Sequence, residues 1–168
     1  MNLLSKFLPR VEFDSYEDFK KNYRVEVPEN FNFAYDVVDE YARLSPEKQA
    51  LIHVDENEKI TRYTFADIKK LSDKAANALR AMGIEKGDGV MMMMKERPEA
   101  WVLICAANKI GAVIIPATYQ LMPKDIVYRC EAADVKLVCM AEDEEVIGHM
   151  REARAKCTTL KGDRKSVV

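Results

Sequence analysis

From Val90 onward the sequence alternates short apolar runs with longer segments of helical spacing, and this alternation narrows the fold more than any other feature. Val90 to Met94 is an uninterrupted apolar run of strand length, which suits a parallel strand covered on both faces. Pro98 then opens a helix in which Trp101, Leu103, Ile104, Cys105, Ala106, Ala107 and Ile110 leave almost no polar face. The pattern predicts a buried helix that ends at Gly111. Ala112 to Ile115 reads as a second strand, Pro123 to Ala132 as a helix, Val135 to Met140 as a third strand and Asp143 to Lys156 as another helix. Strands joined by helices of this length imply right-handed crossovers, and therefore an α/β fold with an open, mostly parallel, doubly wound sheet.

The residues before Val90 read differently. Ser15, with Asp18 three residues later, forms a capping signal ahead of Phe19 and Tyr23, and Pro28 stops that pattern. Val37, Val38, Tyr41 and Leu44 recur at helical spacing, with Pro46 just beyond. Both segments read as packing elements laid against a larger body. Ala50 to Val54 and Ile60 to Thr64 are β-prone runs separated by the polar stretch Asp55 to Lys59, which predicts a hairpin. Thr64 then caps a helix with Asp67 at its third position, while Phe65, Ile68, Leu71, Ala75, Leu79 and Met82 line one face and Gly83 supplies the stop. The expected organisation is an N-terminal helical arm over residues 1–48 and a partial α/β subdomain over residues 49–168.

Composition limits the function classes. With 48% hydrophobic and 32% charged residues, a chain of 168 residues reads as one soluble globular domain. Its 26 basic and 28 acidic residues are spread along the chain, so the clustered cationic surface that nucleic-acid binding needs is absent. Cys105, Cys130, Cys139 and Cys157 form no CxxC pair and read as buried free thiols, which points to the reducing cytoplasm. His53 and His149 have no partner at ligand spacing, so no metal site is expected. Charged residues and Pro9 interrupt the first residues, and no apolar run approaches the roughly 18 residues of a membrane span, so neither export nor anchoring is expected.

After Cys157 the chain turns polar through Lys161 to Lys165 and ends on Val167 and Val168, where the alternation predicts another strand. A parallel sheet ending there would expose an unpaired edge. The chain therefore reads as the first part of a larger domain.

Open parallel sheets bind ligands outside the carboxyl ends of their strands, so the loops after Met94, Ile115 and Met140 are the places to look. The first, Lys95-Glu96-Arg97-Pro98, lacks glycine, and neither GxGxxG nor GxxxxGK[ST] occurs in the chain, which leaves no obvious cradle for a pyrophosphate. Gly83, Gly87 and Gly89 precede a strand rather than follow one and read as a turn. The second loop offers Thr118, Tyr119 and Gln120, a hydroxyl, a phenol and an amide able to fix a polar ligand or to satisfy the turn itself. The third, Ala141 to Glu145, is acidic and matches the dipole of the helix it opens. No nucleophile sits at a glycine-flanked elbow or beside a histidine, so no catalytic residue is assigned.

Tyr63-Thr64-Phe65-Ala66-Asp67, Ala75-Ala76-Asn77-Ala78-Leu79-Arg80-Ala81-Met82-Gly83-Ile84, Lys86-Gly87-Asp88 and Lys109-Ile110-Gly111-Ala112-Val113-Ile114-Ile115-Pro116-Ala117-Thr118 resemble, in this order, the opening of adenylate-forming acyl-CoA synthetases. Gln120-Leu121 with Asp125-Ile126-Val127-Tyr128-Arg129 looks most like the medium-chain branch. The resemblance runs from about Phe31 to Leu160. It implies part of a larger N-terminal domain, whose parent converts a carboxylic acid, ATP and coenzyme A, with magnesium, into acyl-CoA, AMP and pyrophosphate. The family's phosphate loop, its adenine and ribose motifs and its catalytic lysine have no counterpart in this sequence, so the chain alone is expected to be inactive and to bind no cofactor tightly. The resemblance also places Thr118, Tyr119, Gln120 and Arg129 in the vicinity of coenzyme A, and Gly89 where members often carry arginine. The alternative reading is a non-catalytic module that self-associates or pairs its open sheet edge with another chain.

Overall fold

The computed structural model describes residues 3–161. A single 3-10 turn at Leu3–Lys6 is followed by helix α1 (Tyr16–Asn22), a π-helical turn (Ala34–Asp39) running into α2 (Glu40–Leu44), and the hairpin β1 (Gln49–Val54) and β2 (Ile60–Thr64). Helix α3 (Phe65–Ala81) leads to β3 (Gly89–Met93), α4 (Pro98–Ile110), β4 (Val113–Pro116), α5 (Pro123–Ala132), β5 (Val135–Met140) and α6 (Glu144–Arg154).

The expected alternation is present, and the sheet has the order β4-β3-β5 with both pairings parallel. All five residues of β3 are buried because both faces are covered. Val90 and Met92 pack with Ala76 and Leu79 of α3 and with Leu103, Ala106, Ala107 and Ile110 of α4. Met91 and Met93 face the other way, against Ile126 and Cys130 of α5 and Val146, Met150 and Ala153 of α6. Each such side chain contributes about 1.5–3 kcal/mol on leaving water, so this one strand joins two cores. The sheet is doubly wound, with α3 and α4 on one face and α5 and α6 on the other.

Local chemistry sets the boundaries. Thr64 and Asp67 close a reciprocal capping box at the start of α3: the Thr64 hydroxyl accepts from the Asp67 amide at 3.1 Å and the Asp67 carboxylate accepts from the Thr64 amide at 2.9 Å. Gly83 and Gly87 adopt φ of 80° and 90°, as the turn before β3 requires. Gly89 serves a different purpose. A Cβ there would lie 3.1 Å from the Ala133 carbonyl and 3.2 Å from Ile115 Cδ1, so a side chain would press on the turn entering β5.

Three expectations need correction. Helix α4 is not buried all round: Trp101 is 59% exposed, because the sheet, α3 and the π turn cover the other sides of this helix. Helix α1 has its expected Ser15 cap but buries none of its residues; its Phe19 meets Phe13 and Tyr23, both in the arm itself. The second helical segment starts with a π turn that the simple spacing does not anticipate. Asn32 holds its start, its side-chain oxygen accepting from the Ala34 amide at 3.0 Å and its side-chain nitrogen donating to the Asn108 carbonyl at 2.7 Å. Ala34 and Val38 are thereby buried against Ile68 and Cys105.

Beyond α6 the chain runs beside β5, where the Lys161 amide donates to the Lys136 carbonyl at 2.9 Å. The strand expected at Val167 and Val168 lies outside the described residues.

Candidate functional site

The parallel register places the ends of β3, β4 and β5 at one edge of the sheet, and the three following loops meet there. The Ala117 amide donates to the Met92 carbonyl at 2.9 Å and the Ala141 amide to the Met93 carbonyl at 3.1 Å, so both outer loops leave the sheet anchored to the central strand. Lys95, two residues beyond β3, links all three. Its ammonium lies 2.6 Å from Asp143 Oδ2 and 5.1 Å from the centre of the Tyr119 ring, a cation–π distance.

The charges reinforce this link. The Lys95 hydrogen bond holds the Asp143 carboxyl below the usual carboxylate range, and the same bond raises Lys95 above the usual lysine range. Asp143 has a second task, since its other oxygen accepts from the Glu145 and Val146 amides at 3.1 and 3.2 Å and caps α6. The acidic third loop therefore supplies a cap as its sequence suggests, together with an ion pair that its sequence does not announce. The signal for the pair was the position of Lys95 directly after an all-apolar strand, where its side chain has to project over the strand ends.

Thr118, Tyr119 and Gln120 lie together in the loop after β4, all exposed, with the Thr118 hydroxyl accepting from the Gln120 amide at 3.2 Å. Tyr119 is 38% exposed beside Lys95. Arg129 stands on the next element. It is exposed in the last turn of α5, about 9 Å further along the helix axis than Pro123 at a rise of about 1.5 Å per residue. A groove of about 600 Å³ lined by Glu142, Glu144, Ile147 and Arg151 opens beside the third loop. Another of about 260 Å³, lined by Pro123, Lys124, Val127, Glu152 and Lys156, runs between α5 and α6.

This arrangement can hold a polar ligand with a hydroxyl, a phenol, an amide and a displaceable ammonium. It assembles no nucleophile with a base. His53 is in β1 of the hairpin, and His149 is on α6 with its Nδ1 buried. Burial pushes the Cys105 thiol up and the Cys139 thiol up to about 11, which suits packing rather than nucleophilic attack. Among the described residues no three His, Cys, Asp or Glu side chains lie close enough to hold a metal ion, and no helix is long and apolar enough to cross a membrane.

A family model described as AMP-binding enzyme matches residues 38–167. The chain is 36% identical over 154 residues to the mitochondrial acyl-coenzyme A synthetase ACSM3 of Rattus norvegicus, and 34% identical over 154 residues to that of Mus musculus. Each match covers 88% of this chain and 26% of the relative, so the chain spans about a quarter of the length of these curated relatives. A solved fatty acyl CoA synthetase of Mycobacterium tuberculosis superimposes with a TM-score of 0.67 at 28% identity, over 77% of this chain and 25% of the other.

Proposed function

This chain belongs to the AMP-binding enzyme family, and on that premise we propose that it is the N-terminal portion of an ATP-dependent acyl-CoA synthetase of the medium-chain type. In the whole enzyme a carboxylate attacks ATP to give an acyl-adenylate and pyrophosphate, and the thiol of coenzyme A then displaces AMP. The observation that carries this reading is the joint agreement of sequence and fold with acyl-CoA synthetases along most of the chain.

The residues present do not fit an ATP phosphate site. The loop after β3 has no glycine, so it cannot bring successive backbone amides up to a phosphate. They do not fit a magnesium site either, since no carboxylate cluster is assembled among the described residues. The chain's own part is to form the scaffold and one wall of the crevice. Thr118, Tyr119 and Gln120 are proposed to lie along coenzyme A, with Arg129 an outlying contact.

Two measurements test this reading. The 168-residue chain alone is expected to give no acid-dependent ATP–pyrophosphate exchange, whereas a chimera carrying it in place of the matched quarter of the rat relative is expected to give exchange with medium-chain acids. Exchange by the chain alone, or none by a folded chimera, would overturn it.

We also retain the division between an arm at 1–48 and a subdomain from 49 as a proposal. A cytoplasmic location is proposed on the four free thiols; both curated relatives above are named mitochondrial, and imaging of the tagged protein decides. The second reading, assembly through the sheet edge, is favoured by β4, an outer strand whose Val113 is 52% exposed. Light scattering that finds a concentration-independent monomer would remove it.

A further inference from the structure

Two of the four cysteines are placed for chemistry with each other. Cys130, in the last turn of α5, is fully buried, and Cys157, just beyond α6, is 3% exposed. Both lie in the core cluster on the α5 and α6 side of the sheet, where burial first and then the neighbouring Cys157 thiol push the Cys130 thiol up. The backbone around them is fastened independently of the sulfurs. The Thr158 amide donates to Glu131 Oε1 at 2.7 Å, and the Thr159 hydroxyl reaches the Cys130 carbonyl at 3.3 Å and the Val135 carbonyl at 2.7 Å. The other two cysteines belong elsewhere. Cys139 packs into the core on the opposite face, with α3 and α4, and Cys105 into the small cluster beneath the π turn.

We infer that Cys130 and Cys157 are a redox pair that closes reversibly to a disulfide, with a low-molecular-weight disulfide such as oxidised glutathione as the oxidant, latching the segment after α6 onto α5. Local opening of residues 157–159 exposes Cys157, whose thiolate attacks one sulfur of the oxidant and expels a first small thiolate. The Cys130 thiolate then attacks the Cys157 sulfur of the mixed disulfide and expels a second. The two protein thiols lose two electrons, the small disulfide gains them, and the two thiol protons end on the two small thiols released. Burial is the main reason that the Cys130 thiol is pushed up to about 12, so its resolving attack is the slow step and quickens as pH rises, while Cys157, in irregular chain beyond α6, is the point of entry. The closed bond would tie the residues lying along β5 to α5 by a covalent link in addition to the threonine contacts.

The test equilibrates the full 168-residue chain with mixtures of reduced and oxidised glutathione, quenches with acid, alkylates free thiols and maps the peptides by mass spectrometry. In native buffer the Cys130 peptide is expected to be joined to the Cys157 peptide, with a loss of about 2 Da, while Cys105 and Cys139 are alkylated. In concentrated urea the pairing is expected to spread over all four thiols. A Cys157→Ser chain is expected to form no internal disulfide, and a Cys105→Ser, Cys139→Ser double variant to form the same one as the original. A native disulfide that includes Cys105 or Cys139, a mixed disulfide that never resolves, or four alkylatable thiols at ratios that oxidise thioredoxin would each overturn the inference.

Discussion

The two ends of the parallel sheet each carry a lysine–aspartate cluster, and the clusters differ in almost every physical respect. At the amino end, near the start of β4, Lys109 is buried to 2% exposure between Asp39 at 2.8 Å and Asp73 at 2.6 Å. Lys69 completes this group, 2.6 Å from Asp73 and 3.8 Å from Asp39, so that two cations and two anions from the π turn, α3 and α4 balance. At the carboxyl end Lys95 and Asp143 form a single pair, with side chains 46% and 25% exposed. Removing charges from water is costly, and only full pairing with good geometry offsets the cost, whereas an exposed pair contributes little and is easily exchanged. The same two residue types therefore make a fixed joint at one end and a replaceable contact at the other, where a ligand would have to enter.

The largest expected effect comes from breaking the buried joint. Lys109→Met leaves Asp39 without its nearest cation and should destabilise the chain by about 3 kcal/mol in urea denaturation, the lower part of the range for such pairs because Lys69 stays within reach. A loss no greater than that of an ordinary surface substitution would erase the distinction between the two ends. The same joint should set part of the acid limit. The Asp73 carboxyl is held below its usual value: burial opposes this, and the hydrogen bonds from Lys109 and then Lys69 outweigh burial. A depressed carboxyl contributes stability that is present above the ordinary carboxylate pKa of about 3.9 and lost as pH falls through the folded value, so Asp73→Asn should flatten the fall in stability below about pH 4. Thr64→Ala, which opens the capping box of the helix carrying Asp73, provides a yardstick of about 1 kcal/mol. Lys95→Ala should have the smallest effect on the urea midpoint, one that shrinks further with added salt. A midpoint shift comparable to that of Lys109→Met would break the comparison.

The parts that were legible in the sequence are those governed by local rules. The hairpin, the Thr64 and Asp67 box, the Gly83 stop and the three strands of the sheet follow from period, capping and turn chemistry, and they occur within a residue or so of where the spacing puts them. The loop carrying Thr118, Tyr119 and Gln120 follows β4 and leads into α5, as the strand-then-helix alternation predicts. What escaped depends on tertiary neighbours. Lys109 reads as an ordinary charged residue near a helix end, and only the arm folding over α3 and α4 encloses it. Trp101 reads as core because hydrophobicity carries no record of which side of a helix is left uncovered. The π turn was hidden because its cause is Asn32 reaching to Asn108, a partner far along the chain.

The order β4-β3-β5 also sets a sequence of events in time. β1 meets β2 across a five-residue turn, a closure that takes microseconds for a typical hairpin. β3 has no such nearby partner: Met91 pairs with Ile115 on one side and Val138 on the other, each across an intervening helix or more. Its methionine-rich, doubly apolar surface therefore waits for both crossovers while the chain is emerging from the ribosome. During that interval β3 is the segment with most to gain from a chaperone, and slowing its completion should send chains into aggregates before it weakens any finished contact.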